Sequence, residues 1–383
     1  MFIGITGCLE PFNPNIPDSQ NEFLIVDGLI TDQSGPYTVK IFKSSSFNDE
    51  NEPVSGAQVS IEEQEGITEF LTETAAGSYE THDLQGITGH SYRLNINYEE
   101  QQYQSTWETV YASPAMDSIY FGYEIRGTTD QENDLEGLQF LVDNHGPENG
   151  TRYFRYEWTE TWQLGVFWRS TEDYIGNDMT VPTSNPRYRC WKTVNSTGIN
   201  IGTTDNLTEN ILSGHPLLFA PKNEERFTER YSLLVKQYAL QEDEYRFWKN
   251  LKESNQELGS LFDKQPANVQ GNISSVTNSG DVALGYFSAS GSQEQRIFLD
   301  ISDIPSSLIR RPPCAPLDSL LKAELFGEYE NVLVSRLEFG QFFYHFIYGG
   351  TSPNPIGALI SSPRCSDCTV KGGDLNKPEF WDE

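Results

Sequence analysis

The sequence predicts a mainly β chain: an N-terminal immunoglobulin-like antiparallel sandwich, followed by a larger β-sandwich-like domain with helical insertions. Three observations predict it. Short segments of alternating polarity recur from residue 22 to residue 112, with Gly, Pro and Ser at the breaks. Aromatic residues are abundant (22 Phe, 19 Tyr and 7 Trp against 3 Met), which suits pleated, half-buried surfaces. Between Arg152 and Trp162 the side chains alternate with a period of two, the repeat of a strand rather than of a helix.

The first strand is Phe23-Leu24-Ile25-Val26-Asp27-Gly28-Leu29-Ile30. In Tyr37–Phe42, Tyr37, Val39 and Ile41 alternate with Thr38 and Lys40. A turn at Pro53–Gly56 leads into a strand with Ala57, Val59 and Ile61 on one face. Gly77–Glu80, Tyr92–Ile96 and Tyr103–Trp107 continue the series, and six or more strands in about 90 residues indicate a sandwich. The order Pro-Val-x-Gly-Ala-x-Val-x-Ile followed by Gly-x-Tyr also resembles the prealbumin-like domains that recur in Bacteroidetes exported proteins.

The second β-rich region starts near Ser113. Its clearest strand carries Arg152, Phe154, Tyr156, Trp158, Glu160 and Trp162 on one face and Tyr153, Arg155, Glu157, Thr159 and Thr161 on the other. Further strands are expected at 230–238, 271–276, 283–289, 296–301, 331–339 and 341–348, with a bend between the last two. One helix is expected over 241–257, where Tyr245, Trp248 and Leu251 form an apolar stripe and Gly259 supplies a stop.

At the N-terminus, Ile5-Thr6-Gly7-Cys8 has the form of a lipobox, in which small residues precede a cysteine that is acylated at the membrane. Only seven residues precede Cys8, so a shortened signal peptide is expected. Pro11, Pro14 and Pro17 among polar residues then suit an extended tether. The expected organisation is a truncated signal peptide with lipobox over 1–8, a tether over 9–21, the sandwich over 22–112, and a β-rich domain over 113–383 with a disulfide-stapled C-terminal tail. No stretch approaches the ~18 apolar residues that a membrane span requires. Attachment would come from the lipid on Cys8.

Composition restricts the partners. Lys plus Arg minus Asp plus Glu is 26 − 56 = −30, a charge that repels phosphate backbones and argues against nucleic-acid binding. It argues equally against docking on anionic lipid through a basic patch. The four remaining cysteines, Cys190, Cys314, Cys365 and Cys368, are an even number in an exported chain and read as two disulfides with three possible connectivities. Cys365-Ser366-Asp367-Cys368 has zinc-knuckle spacing, but Cys190 and Cys314 do not form a second close pair. A redox role for C-x2-C would need a βαβ context. The expectation is that Cys365 and Cys368 pair outward, one of them with Cys314.

Several phrases add up along the chain: Leu24–Thr31, Gly35-Pro36-Tyr37, Glu242–Glu253, Gly259–Pro266, Gly271-Asn272-Ile273, Val282–Ser290, and an ending with Cys365-Ser366-Asp367-Cys368, Gly372-Gly373 and Lys377–Trp381. Together with Cys8, they make the chain resemble the Bacteroidetes lipoprotein family catalogued as domain of unknown function 4249. That resemblance implies an outer-membrane lipoprotein, often encoded beside TonB-dependent receptors, with no assigned activity and no catalytic residues to carry over.

No catalytic motif emerges from the residues themselves. His82, His90, His145, His215 and His345 show no paired-ligand spacing, and neither a G-x-S-x-G elbow nor a P-loop occurs. No metal site and no cofactor are expected. Asp130–Asp134 begins like a calcium loop but lacks the Gly that should follow, and it reads, like Asn48–Glu52, as a solvated acidic loop. If exposed, Tyr156, Trp158 and Trp162 would stack on sugar rings or pack against a partner; alternation of this kind favours a buried face instead. The expected function is a non-enzymatic binding or accessory module, held at the outer membrane by its lipid and working with a TonB-dependent receptor. The rivals are a carboxylate-based glycan or peptide hydrolase and a structural envelope component. After Cys8 only Glu10 is acidic before Phe12, which does not choose between the cell surface and the periplasmic face.

Overall fold

The computed structural model describes residues 23–44, 51–127, 134–222, 225–256, 270–278, 282–309, 314–351 and 353–382. Cys8, the tether, the Gly259–Pro266 phrase and most of the two acidic loops lie outside them. The chain is mainly β and divides into two compact units.

The first unit holds one long sheet path. Its strands run Thr68–Phe70, Gln58–Glu63, Ser91–Tyr98, Gln101–Ser105, Gln270–Ser275, Val282–Ser290, Leu24–Thr31, Thr38–Lys43, Ser78–Glu80 and Thr72–Ala75. The two ends of this path are consecutive in sequence, separated only by Leu71, so the sheet folds over on itself as a sandwich. Alternation decides what goes inside: Leu24, Val26, Ile30, Val39, Ile41, Val59, Ile61, Leu94 and Ile96 form the core with Tyr79, Tyr92 and Phe287. Polar neighbours on the same strands face out, as expected for sheets covered on one side.

The N-terminal part of this unit ends at Val110, close to the expected 112, but the expected continuous domain over 113–383 is corrected. The first unit takes in Asn250–Ser290 as well as the N-terminal region. Val282–Ser290 lies parallel to Leu24–Thr31, from Leu24 opposite Ala283 to Thr31 opposite Ser290, in an otherwise antiparallel sheet. Gly285 permits the contact. Its φ is +97°, and a Cβ there would sit 1.9 Å from the Val26 carbonyl oxygen, so no other residue fits without displacing backbone.

The second unit is a further sandwich. A three-stranded sheet (Met116–Arg126, Leu135–His145, Ile211–Pro221) contributes one layer. The other is a five-stranded sheet ordered Arg189–Asn195, Tyr153–Gly165, Tyr231–Leu240, Ser292–Leu299, with Asn200–Thr203 also on Tyr153–Gly165. Leu138, Phe140, Phe154, Tyr156, Trp162, Tyr231 and Leu233 belong to their shared core, where the Phe140 and Tyr231 rings stack at 5.6 Å. The helix expected over 241–257 is Glu242–Gln256. Three acidic residues open it, which suits the positive end of the helix dipole. Tyr245 packs on Tyr153 at 5.0 Å, and the Arg155 guanidinium lies over the Trp248 ring at 4.5 Å.

A smaller core forms within this unit. The hairpin Glu172–Gly176/Met179–Pro182 meets a sheet of Asp318–Leu321, Pro355–Ser361 and Phe342–Tyr348 and the helix Tyr329–Glu338. Leu320, Tyr329, Leu333, Phe343, Phe346 and Ile360 fill it. Here the strand expected at 331–339 is corrected to a helix. Val332 and Val334 imitate a strand, but Tyr329, Leu333 and Leu337 recur at the four-residue spacing of one helix face, and Gly340 ends it with φ +85°. The strand expected at 296–301 begins earlier, at Ser292, and stops at Leu299, after which Ile301–Asp303 turns in a short 3-10 helix.

Candidate functional site

The cysteines resolve into two disulfides, Cys190–Cys368 and Cys314–Cys365, each with Cα atoms 5.7 Å apart. Cys190 stands opposite Leu164 in the five-stranded sheet, and both it and Cys368 are fully buried. Around them the C-terminal tail is bound by backbone: Trp191 and Asp374 exchange two hydrogen bonds of 2.8 Å, and Cys368 N–H donates to Arg187 O at 2.9 Å. Arg187 also pairs with the buried Asp367 at 3.0 Å. The two cysteines of C-x2-C thus pair outward with different partners, as expected, and supply neither a zinc knuckle nor a vicinal redox couple.

The aromatic strand is not a display surface. Tyr156 and Trp162 are buried, and Trp158 is half-buried against the same core. The Tyr156 hydroxyl is hydrogen-bonded internally. Asn144 Nδ2 donates to Tyr156 Oη at 2.8 Å and to Gln237 Oε1 at 2.6 Å, and Tyr156 Oη donates to the same Gln237 oxygen at 3.0 Å. Gln237 Nε2 then donates to Ser113 Oγ and Pro114 O. Further along the strand, Glu160 takes Arg226 at 2.9 Å and the Tyr231 hydroxyl at 2.7 Å, while the Arg226 guanidinium lies 5.2 Å from the Trp162 ring centroid. Burial pushes both Tyr156 and Tyr231 well above the ordinary tyrosine range, so each stays a neutral hydrogen-bonding group. The buried face that the alternation favours is the one observed, and the alternative of sugar stacking or partner contact through Tyr156 and Trp162 falls away.

The histidines are scattered. His82 bonds Thr72, His90 pairs with Glu63, and His145 meets Asp117 at 2.6 Å. His215 bonds Asn200 at 2.8 Å with its ring against Tyr156, and His345 lies beside Tyr348. Among the described residues no three His, Cys, Asp or Glu side chains converge as metal ligands would.

Concavities lie in the second unit. One of about 260 Å³ is lined by Gly165, Val166, Phe167, Arg169, Thr228, Glu229, Cys314 and Lys371. A second, also about 260 Å³, is polar and includes Asp173, Asn185 and Arg187. A third of about 390 Å³ runs between Trp191–Thr193 and the tail at Gly372, Asp374 and Asn376. Each has a single carboxylate among its described lining residues, whereas glycoside hydrolysis needs a pair about 5 to 9.5 Å apart. Sequence reasoning missed the first cleft because its residues come from four separated segments. In it Arg169 makes no ion pair or hydrogen bond with the described residues.

No curated protein matches the chain. Residues 9–296 match the family described as Domain of unknown function (DUF4249), a range that stops short of Cys314, Cys365 and Cys368, and the chain belongs to that family.

Proposed function

We propose that this protein is a non-enzymatic binding or accessory module of the cell envelope, anchored in the outer membrane through a lipid on Cys8 and working with a TonB-dependent receptor. The observation that carries the reading is the pair of disulfides, Cys190–Cys368 and Cys314–Cys365. Bonds of this kind form and persist in oxidising compartments outside the cytoplasm, which agrees with a lipobox at Ile5–Cys8. The single carboxylate among the described lining residues of each of these clefts weighs against a carboxylate-pair hydrolase there, and the acidic charge leaves anchoring to the acyl chains rather than to a basic patch.

The test uses the gene at its own locus. Cys8→Ala is expected to abolish incorporation of a clickable fatty acid and to move the protein from the membrane fraction to the soluble envelope fraction. The wild-type protein, solubilised from outer membrane, is expected to bring down a TonB-dependent receptor. A Cys8→Ala protein that still carries label, or a pull-down that never contains such a receptor, overturns the reading.

A further inference from the structure

Phe326 is 93 % exposed and stands in the turn Leu325-Phe326-Gly327, before the helix Tyr329–Glu338. Its φ is +44°, a left-handed conformation that favours glycine and is unfavourable for a bulky side chain. Single exposed apolar residues are common on surfaces and need no explanation. This one is different, because it is unfavourable in two independent ways. The ring gains little burial, and the backbone is held where a glycine would rest without strain. At the other end of the same helix, Phe339 is 85 % exposed and is followed by Gly340 at φ +85°. The ten-residue helix between them spans about 15 Å, and Asn331, Val334 and Glu338 are exposed along it.

The charges beside these rings say what would cover them. Exposed Glu324 and Glu328 flank Phe326, and exposed Glu338 precedes Phe339. Lys322 is occupied by Asp178, which leaves Arg336 as the exposed cation of the helix. Carboxylates in these positions oppose insertion into a lipid surface, where they would lose their hydration. A second copy of a chain with net charge −30 would bring like charges together. A protein surface with an apolar pocket rimmed by Lys or Arg satisfies both the rings and the carboxylates.

We propose that Phe326 and Phe339, with Glu324, Glu328 and Glu338, form a docking surface for a different protein whose apolar pocket is rimmed by basic side chains. The proposal rests on the reading of the chain as a binding module, but not on the partner being a TonB-dependent receptor.

The experiment places a benzophenone side chain at position 326 of the full-length protein in intact cells, with Ile67, exposed in the other unit, as the control position. The expected result is one adduct with a different protein, absent from the control and lost when Glu324→Lys and Glu328→Lys are introduced together. With that partner purified, Phe326→Gly is expected to weaken binding at least about tenfold while the Tm stays level or rises, because glycine relaxes the left-handed turn. A residue kept for the fold alone would lower the Tm instead. An adduct with lipid or with a second copy of the chain, an adduct indifferent to the charge reversals, or no adduct above the control each overturns the proposal. The two readings fail separately. If a receptor co-purifies equally with wild type and Phe326→Gly and no adduct forms, this docking surface is wrong and the receptor reading stands. If Phe326 captures a protein that is not a TonB-dependent receptor, the docking surface stands and the receptor reading fails.

Discussion

Tyr156 shows how one side chain is committed by its surroundings. Its ring fills the core between two sheets, and its hydroxyl accepts from Asn144 and donates to Gln237 at 2.8 and 3.0 Å. A neutral hydrogen bond contributes little net stability, but a buried group left without its partner costs about 1–3 kcal/mol. Tyr156→Phe is therefore expected to lower unfolding stability by about that amount, as a shift in denaturant midpoint without a change in slope. The period of two made this face legible as a strand. The alternation also favoured a buried face, but which layer would cover it was not legible, because that layer comes from distant segments of the chain. Phe326 illustrates the reverse. The positive φ at Phe326, the residue before Gly327, has no mark in composition.

Among elements, the disulfides organise the end of the chain. Cys190–Cys368 joins positions 178 residues apart and Cys314–Cys365 positions 51 apart, and closing such loops removes about 5 and about 4 kcal/mol of unfolded-chain freedom at 25 °C. Replacing Cys190 and Cys368 together by Ala is expected to destabilise the protein more than replacing Cys314 and Cys365 together. The buried pair also leaves a gap against Leu164 and Gly373, which adds to the difference. Equilibrium unfolding of the two double variants checks this; equal losses would mean that the longer loop stays structured when unfolded. The even cysteine number was readable, and so was outward pairing of Cys365 and Cys368. Which of them met Cys314 depended on the turn at Pro363–Ser366 and on Cys368 docking beneath Arg187. The segment 331–339 departs from its expected strand for a related reason. Its valines fit a strand locally, and only the packing of Tyr329, Leu333 and Leu337 with Phe343 and Phe346 selects the helix.

At the scale of the whole molecule, the first unit is discontinuous. Its central strands include Val282–Ser290, whose residues 283–290 pair with the whole of Leu24–Thr31, and Gln270–Ser275 beside Gln101–Ser105. A fragment of residues 23–112 would expose the backbone groups of Leu24–Thr31 and uncover the core side of Val26 and Ile30. It is expected not to melt cooperatively and to leave the amides of that strand unprotected in hydrogen exchange; a protected, cooperative fragment would show that 270–290 is dispensable. By itself the sequence determined the mainly β class, the main strands of the first unit and the strand Tyr153–Gly165, the Glu242–Gln256 helix and an even set of cysteines, because period, turn residues and parity are local properties of the chain; the sheet of Met116–Arg126, Leu135–His145 and Ile211–Pro221 was not among its expectations. Only the tertiary structure decided that residues 250–290 return to the first unit, that Tyr156 and Trp162 are core, and that Cys190 joins Cys368. Each of those depends on which distant segments pack together, and the free energy that selects the pairing comes from the shared core rather than from either segment alone.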